Sequence, residues 1–242
     1  MLGQINMKNK IVDPTIVFAE LIGTLIYGYG TATSSSNPFA VAGCLYIGMA
    51  FTGYISTPQF NPAVTLAMVL RRIFHGEFEL KDSFQFLSNF VAQLIGASLA
   101  ALLGWGTSHS VFYYNVQSSF NHTEAFFAEV IYTAVICATC LSIKRVTESL
   151  LLSGIAISMA YLTGNLGVRN ISLACFNPAL GLCFNFIHYL KEGNHFSNTW
   201  IYVFGPLLGS LIGTAVAMVF LNIEDEDIDN TRTKSLEGRI AN

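Results

Sequence analysis

The sequence predicts an all-α membrane protein: six transmembrane helices plus two re-entrant half-helices in an inverted repeat. Three observations predict it. Of 242 residues, 52% are hydrophobic and 11% charged, and the mean hydropathy is +0.52. That is too apolar for an ordinary soluble domain. The tripeptide Asn-Pro-Ala occurs twice, each time after Phe, at Asn61-Pro62-Ala63 and Asn177-Pro178-Ala179. Upstream, Phe18-Ala19-Glu20 pairs with Phe127-Ala128-Glu129, at an offset of 109 against 116 for the tripeptides. The halves read as copies of one unit, and such repeats commonly build a path at their interface.

Six stretches approach the roughly 20 apolar residues that cross a bilayer: about 15–34, 38–56, 84–104, 125–143, 150–168 and 199–222. Met1 to Asp13 is polar, lacks an apolar core and is not Arg-rich, so neither a signal peptide nor a mitochondrial presequence is expected. Residues 1–14 read as an N-terminal segment. The third span carries Gly96, Ala97, Ala100, Ala101 and Gly104, and the sixth carries Gly205, Gly209 and Gly213. Small residues let helix backbones approach in lipid. Residues 223–242, with the run Glu224-Asp225-Glu226-Asp227, read as a mobile acidic tail.

Two apolar segments, about 62–73 and 178–188, are too short to span. Each opens at an Asn-Pro-Ala. Asn is a favoured N-cap and Pro a favoured first helical residue, so each tripeptide starts a half-length helix. The repeat halves, about 15–104 and 125–222, each hold three spans, and an odd number inverts the second copy. The half-helices then enter from opposite faces and meet N-terminus to N-terminus near the midplane.

Six spans put both termini on one side, together with Lys8, Lys10, Arg71, Arg72, Lys81, Lys144, Arg145, Arg232, Lys234 and Arg239. Only Arg169 and Lys191 fall opposite. The positive-inside rule turns the termini toward the cytoplasm or its equivalent. Asn121-His122-Thr123 and Asn170-Ile171-Ser172 are glycosylation sequons on the other side. The sequence does not identify the membrane.

Enzyme chemistry finds no nucleophile–base pair. The five histidines show no metal-ligand spacing, and Cys137 and Cys140 lie on a spanning helix, where they read as packing residues. No metal, cofactor or nucleic-acid partner is expected. A pore remains. Facing helix N-termini concentrate positive potential, about half a charge each, which repels cations and hydronium. The amides of Asn61 and Asn177 can donate to a passing oxygen. That suits a neutral polar permeant.

On these motifs, with Ala92-Gln93, Gly96-Ala97 and Gly205-Pro206, residues 15–222 resemble the aquaporin and aquaglyceroporin, or major intrinsic protein, family. The resemblance implies an aquaporin-like channel domain over 15–222, with one pore per protomer in a homotetramer within the bilayer. It implies passage of water or small neutral solutes of the glycerol, urea and ammonia class. Asn61, Pro62, Ala63, Asn177, Pro178 and Ala179 are then the pore motifs. Glu20 and Glu129, costly in lipid, support the re-entrant loops.

The chain departs from the family at the filter. An Arg usually follows the second Asn-Pro-Ala; here it is Leu180. The second-span partner is Ala42, or Val41 by ungapped counting, and neither is aromatic. Tyr161 is the fifth-span partner if Gly154 anchors that helix, with the loop to Asn177 then about four residues longer than usual. Ala174 lines the filter by its backbone, and Gln59 replaces a frequent His. Arg169, in the lengthened loop, either replaces the missing charge or lies at the surface. An apolar filter admits larger solutes if wide, or blocks by dewetting if Leu180 and Tyr161 close it. A second hypothesis is an aquaporin-fold accessory subunit of a larger membrane complex, conducting little.

Overall fold

The computed structural model describes residues 11–240 apart from position 56, with side chains through Leu221 except Lys144. Among the described residues there are eight helices: α1 (Pro14–Thr33), α2 (Pro38–Thr52), α3 (Pro62–Phe74), α4 (Leu80–Ser108), α5 (His122–Val146), α6 (Leu150–Ser172), α7 (Pro178–Glu192) and α8 (Thr199–Ile240). Most of the expected N-terminal segment, residues 1–10, lies outside the described residues.

Helix starts follow one chemical rule. Asp13, Asn37, Asn61 and Asn177 each cap a helix whose first residue is Pro, and each side-chain oxygen accepts a main-chain N–H of the first turn. α5 opens on a reciprocal box: Asn121 accepts from the Glu124 N–H, and Glu124 accepts from the Asn121 N–H.

Among the described residues five helices are long and apolar enough to cross a membrane: α1, α4, α5, α6 and the part of α8 up to Leu221. The expected second span is shorter. α2 has 15 residues and stops at Gly53, because the chain must turn there to bring Gln59 and Phe60 back inside. The fifth span is longer than expected. α6 continues to Ser172, so only Leu173–Phe176 link it to Asn177. The extra residues before Asn177 are helix, not loop. α8 likewise continues to Ile240, so the acidic run at 224–227 has helical backbone.

The two halves pack alike. α4 crosses α1 where a Cβ on Gly96 would lie 2.6 Å from the Leu21 carbonyl oxygen; α8 crosses α5 where a Cβ on Gly209 would lie 2.5 Å from that of Val130. Leu21 and Val130 stand at the same 109-residue offset as the two glutamates. α3 packs against α8 of the other half, and α7 against α4. At the end where α1 begins, the Asp13 N–H donates to Gln85 at 2.6 Å, and Arg72 pairs with Asp82 at 3.0 Å. Lys191 sits over the Trp105 ring at the opposite end.

Candidate functional site

Each half-helix is held by a carboxyl group from the first helix of its own half. The Glu20 oxygens accept the main-chain N–H of Gln59 at 2.8 Å and of Phe60 at 2.7 Å, and the amide of Gln93 at 2.8 Å. Glu129 accepts the N–H of Cys175 at 3.0 Å and of Phe176 at 2.6 Å, and the Ser172 hydroxyl at 2.6 Å. Both carboxyls are fully buried. An extended segment entering a membrane leaves main-chain donors without helical partners, and these two groups satisfy them.

The same contacts set an unusual backbone. Phe60 and Phe176 both adopt the left-handed region, with φ of 52° and 55°. That conformation costs energy for a residue with a Cβ. It turns each carbonyl across the pseudo-twofold. The Asn61 amide donates to the Phe176 carbonyl at 2.7 Å, and the Asn177 amide donates to the Phe60 carbonyl at 2.8 Å. The Asn61 side-chain oxygen accepts from the Ala63 N–H at 2.8 Å, and that of Asn177 from the Ala179 N–H at 3.0 Å and the Leu180 N–H at 3.4 Å. The two tripeptides therefore meet at the centre, each amide fixed at both ends.

The other sequence-predicted residues differ in how they relate to this centre. Tyr161 accepts a second bond from the Asn61 amide, at 2.8 Å. Its ring meets Tyr27 edge-on at 5.8 Å. Leu180 packs near Gly28 of α1 and Phe184. Ala174 is buried in the connection before Asn177, with φ of 54°. Ala42 lines a groove between α2 and α6 with Tyr46, Ser158 and Leu162. Val41, the ungapped alternative, lies on a different stripe of α2, with Leu45 and Met49, and belongs to the same buried cluster as Tyr161 and Leu180. Gln59 accepts from the Thr65 hydroxyl at 2.7 Å.

Arg169 lies in the last turn of α6 and is half-buried. Its Nε and Nη2 donate to the carbonyls of Ser36 and Ser35, each at 3.0 Å. It clamps the turn between α1 and α2. Tyr27 and Ser36 were not singled out from the sequence, and Ser172 was named only as part of a glycosylation sequon. Position 27 falls opposite Ile136 at the 109-residue offset, so no repeated motif marks Tyr27.

A cavity of about 380 Å³ opens at the end where α2 and α5 finish and α6 begins. Met49, Thr57, Pro58, Met68, Cys140 and Ile157 contribute to its wall. Further along, Asn61, Asn177 and Leu180 are each 0% exposed. In this conformation water does not reach these three side chains. Among the described residues no group of three or more His, Cys, Asp or Glu is placed to hold a metal.

Paired half-helices, reciprocal asparagines and a buried carboxyl beneath each loop define a membrane channel built from an inverted repeat. The major intrinsic protein family profile matches residues 10–217, and the chain belongs to that family of channels, not enzymes. Nodulin-26 of Glycine max is 32% identical over 198 residues, covering 78% of this chain and 67% of its own length. Aquaporin NIP2-2 of Zea mays is 28% identical over 222 residues, covering 89% and 70%. The fold is that of the aquaglyceroporin from Plasmodium falciparum, with a TM-score of 0.73 at 18% identity over 84% of this chain and 94% of that one. The protein is thus a multi-pass integral membrane protein and a channel for water or small neutral solutes.

Proposed function

We propose that the permeant passes between Asn61 and Asn177 and that the filter beside them is apolar, formed by Leu180, Tyr161, Ala174 and a small α2 residue. The observation that carries this reading is the exchange of hydrogen bonds between the two Asn-Phe pairs. It supports two neutral donors fixed where two helix N-termini meet. A positive potential there opposes cations, while the amides bind an oxygen of a neutral molecule. The rest of Asn-Pro-Ala caps and starts each half-helix.

The proposed filter has Leu180 where the family usually has a guanidinium. Arg169 gives its donors to Ser35 and Ser36, which supports a clamp on the outer turn, not a selectivity role. On the second helix, the stripe that carries Met49 into the cavity wall also carries Val41, so Val41 is the better lining residue there and Ala42 its neighbour on the α6 side. Glu20 and Glu129 act through the loops they hold and do not touch the permeant. The termini face the cytoplasm or its equivalent, and protomers assemble as homotetramers, as in the resemblance. Large apolar side chains on the outside of the bundle, such as Phe39, Ile47 and Phe51, suit either lipid or a neighbouring subunit.

One observation favours a second reading. Asn61, Asn177 and Leu180 expose no surface, as they would in an accessory subunit that keeps the fold and conducts little. Stopped-flow swelling of proteoliposomes, first for water and then for glycerol, separates the two. Flux above protein-free vesicles supports the channel. Baseline flux together with copurifying, stoichiometric unrelated subunits supports the accessory role.

A further inference from the structure

We propose that Tyr161 is the gate of this pore, held shut by its hydrogen bond to Asn61; the inference rests on the channel reading above. The cavity wall gives the geometry. On α6 the lining residues Leu150, Ser153, Gly154 and Ile157 follow helical spacing, and Tyr161 is the next residue on that face. On α2 the stripe runs from Met49 in the wall to Leu45, and on α5 from Ile143 and Cys140 to Ile136. Leu45, Ile136 and Tyr161 are each at most 1% exposed. Helical spacing thus puts Leu45, Ile136 and Tyr161 one turn deeper than the cavity wall, and of these three Tyr161 carries a polar group.

That group is aimed at the asparagine pair. Tyr161 Oη lies 2.8 Å from Asn61 Nδ2, where a permeant oxygen would bind. The ring is steadied edge-on by Tyr27 at 5.8 Å and by Phe176 at 6.5 Å. At the 116-residue offset that relates the asparagines, the counterpart of Tyr161 is Leu45, which has no hydrogen-bonding group. The gate is thus one-sided. To pass, a permeant displaces the phenol and takes over the Asn61 amide. A hydroxyl-bearing molecule does so without leaving that amide unpaired, and an apolar one does not. The gate selects water and polyols by the bond it surrenders.

The test compares wild type, Tyr161→Phe and Tyr161→Ala in proteoliposomes, with size exclusion and thermal unfolding as folding controls. Tyr161→Phe keeps the ring and loses the bond, and should raise water flux about threefold, the population shift expected from one neutral hydrogen bond. Tyr161→Ala should raise water flux by about tenfold and increase the glycerol-to-water ratio by opening an apolar constriction. A conducting wild type with unchanged flux in both variants overturns the gate and leaves the channel standing. Folded variants and wild type all at the protein-free baseline overturn the channel reading and the gate with it. Should Tyr161→Ala not fold, Tyr161→Phe decides alone: about threefold more flux supports the gate, and unchanged flux overturns it.

Discussion

The side-chain amide of Asn177 donates to the main-chain carbonyl of Phe60 at 2.8 Å, across 117 positions of sequence. With its mirror, Asn61 to Phe176, it joins two half-helices that belong to different halves of the chain. The asparagines are therefore both fasteners and donors. Asn177→Asp replaces a donor with an acceptor facing a carbonyl. It should lower stability by about 1–3 kcal/mol and admit cations by placing negative charge at the paired helix N-termini. Thermal unfolding and a cation-leak assay check it. Unchanged unfolding and unchanged ion exclusion in both Asn61→Asp and Asn177→Asp count against a pore through this centre.

The carboxyls under the loops make a second prediction. Glu20→Ala strands the N–H groups of Gln59 and Phe60 and the Gln93 amide. Each buried orphan costs about 1–3 kcal/mol, so the protein should lose several kcal/mol or fail to assemble. Glu129→Ala should do the same through Cys175, Phe176 and Ser172. The glutamine variants keep one acceptor and should lose less. Unfolding temperatures in detergent rank the four proteins. Equal temperatures for alanine and wild type would show that the loops stand without these groups.

The repeat was legible because lipid and helix capping act locally. Burial in a bilayer writes each span as an apolar run, and Asn before Pro marks a helix start whatever surrounds it. Lengths were less legible. α6 carries past 168 to Ser172 because Arg169 and Asn170 are compatible with a last helical turn at the membrane edge. α2 ends at Thr52 since the chain must re-enter, which no local residue announces before Gly53. The meeting of the two half-helices was legible, but the individual hydrogen bonds across the pseudo-twofold were not. Nothing near Tyr161 in sequence points to Asn61, 100 positions away. Nor does the sequence around Ser36 reveal that Arg169 clamps it.

The helix crossings carry a third prediction. A methyl group at Gly96 meets the Leu21 carbonyl, and one at Gly209 meets that of Val130. Main chain cannot yield as a flexible side chain would. Gly96→Ala and Gly209→Ala should each cost about 1–3 kcal/mol by overpacking and should behave alike because the repeat sets the same contact in each half. Unfolding of the purified variants tests this; neutrality at either site would contradict the close approach.

Leu180 tests the filter. It lies one residue past the second Asn-Pro-Ala and is fully buried near Gly28 and Phe184. Leu180→Arg places a rigid fork of donors there. In a protein that passes glycerol, the ratio of water to glycerol flux should rise. Where the apolar constriction blocks flow, the same change should admit water by wetting it. Two conducting proteins with identical ratios would show that Leu180 does not line the filter.

The central claim is that neutral molecules pass between two fixed asparagine amides while charge is turned back. Its most direct measurement follows water and proton flux together, by light scattering and an entrapped pH dye, in one preparation of proteoliposomes. The account predicts water flux above protein-free vesicles with proton leak at their level. Proton leak rising in step with water flux, or neither rising in wild type and in Tyr161→Ala, would contradict it.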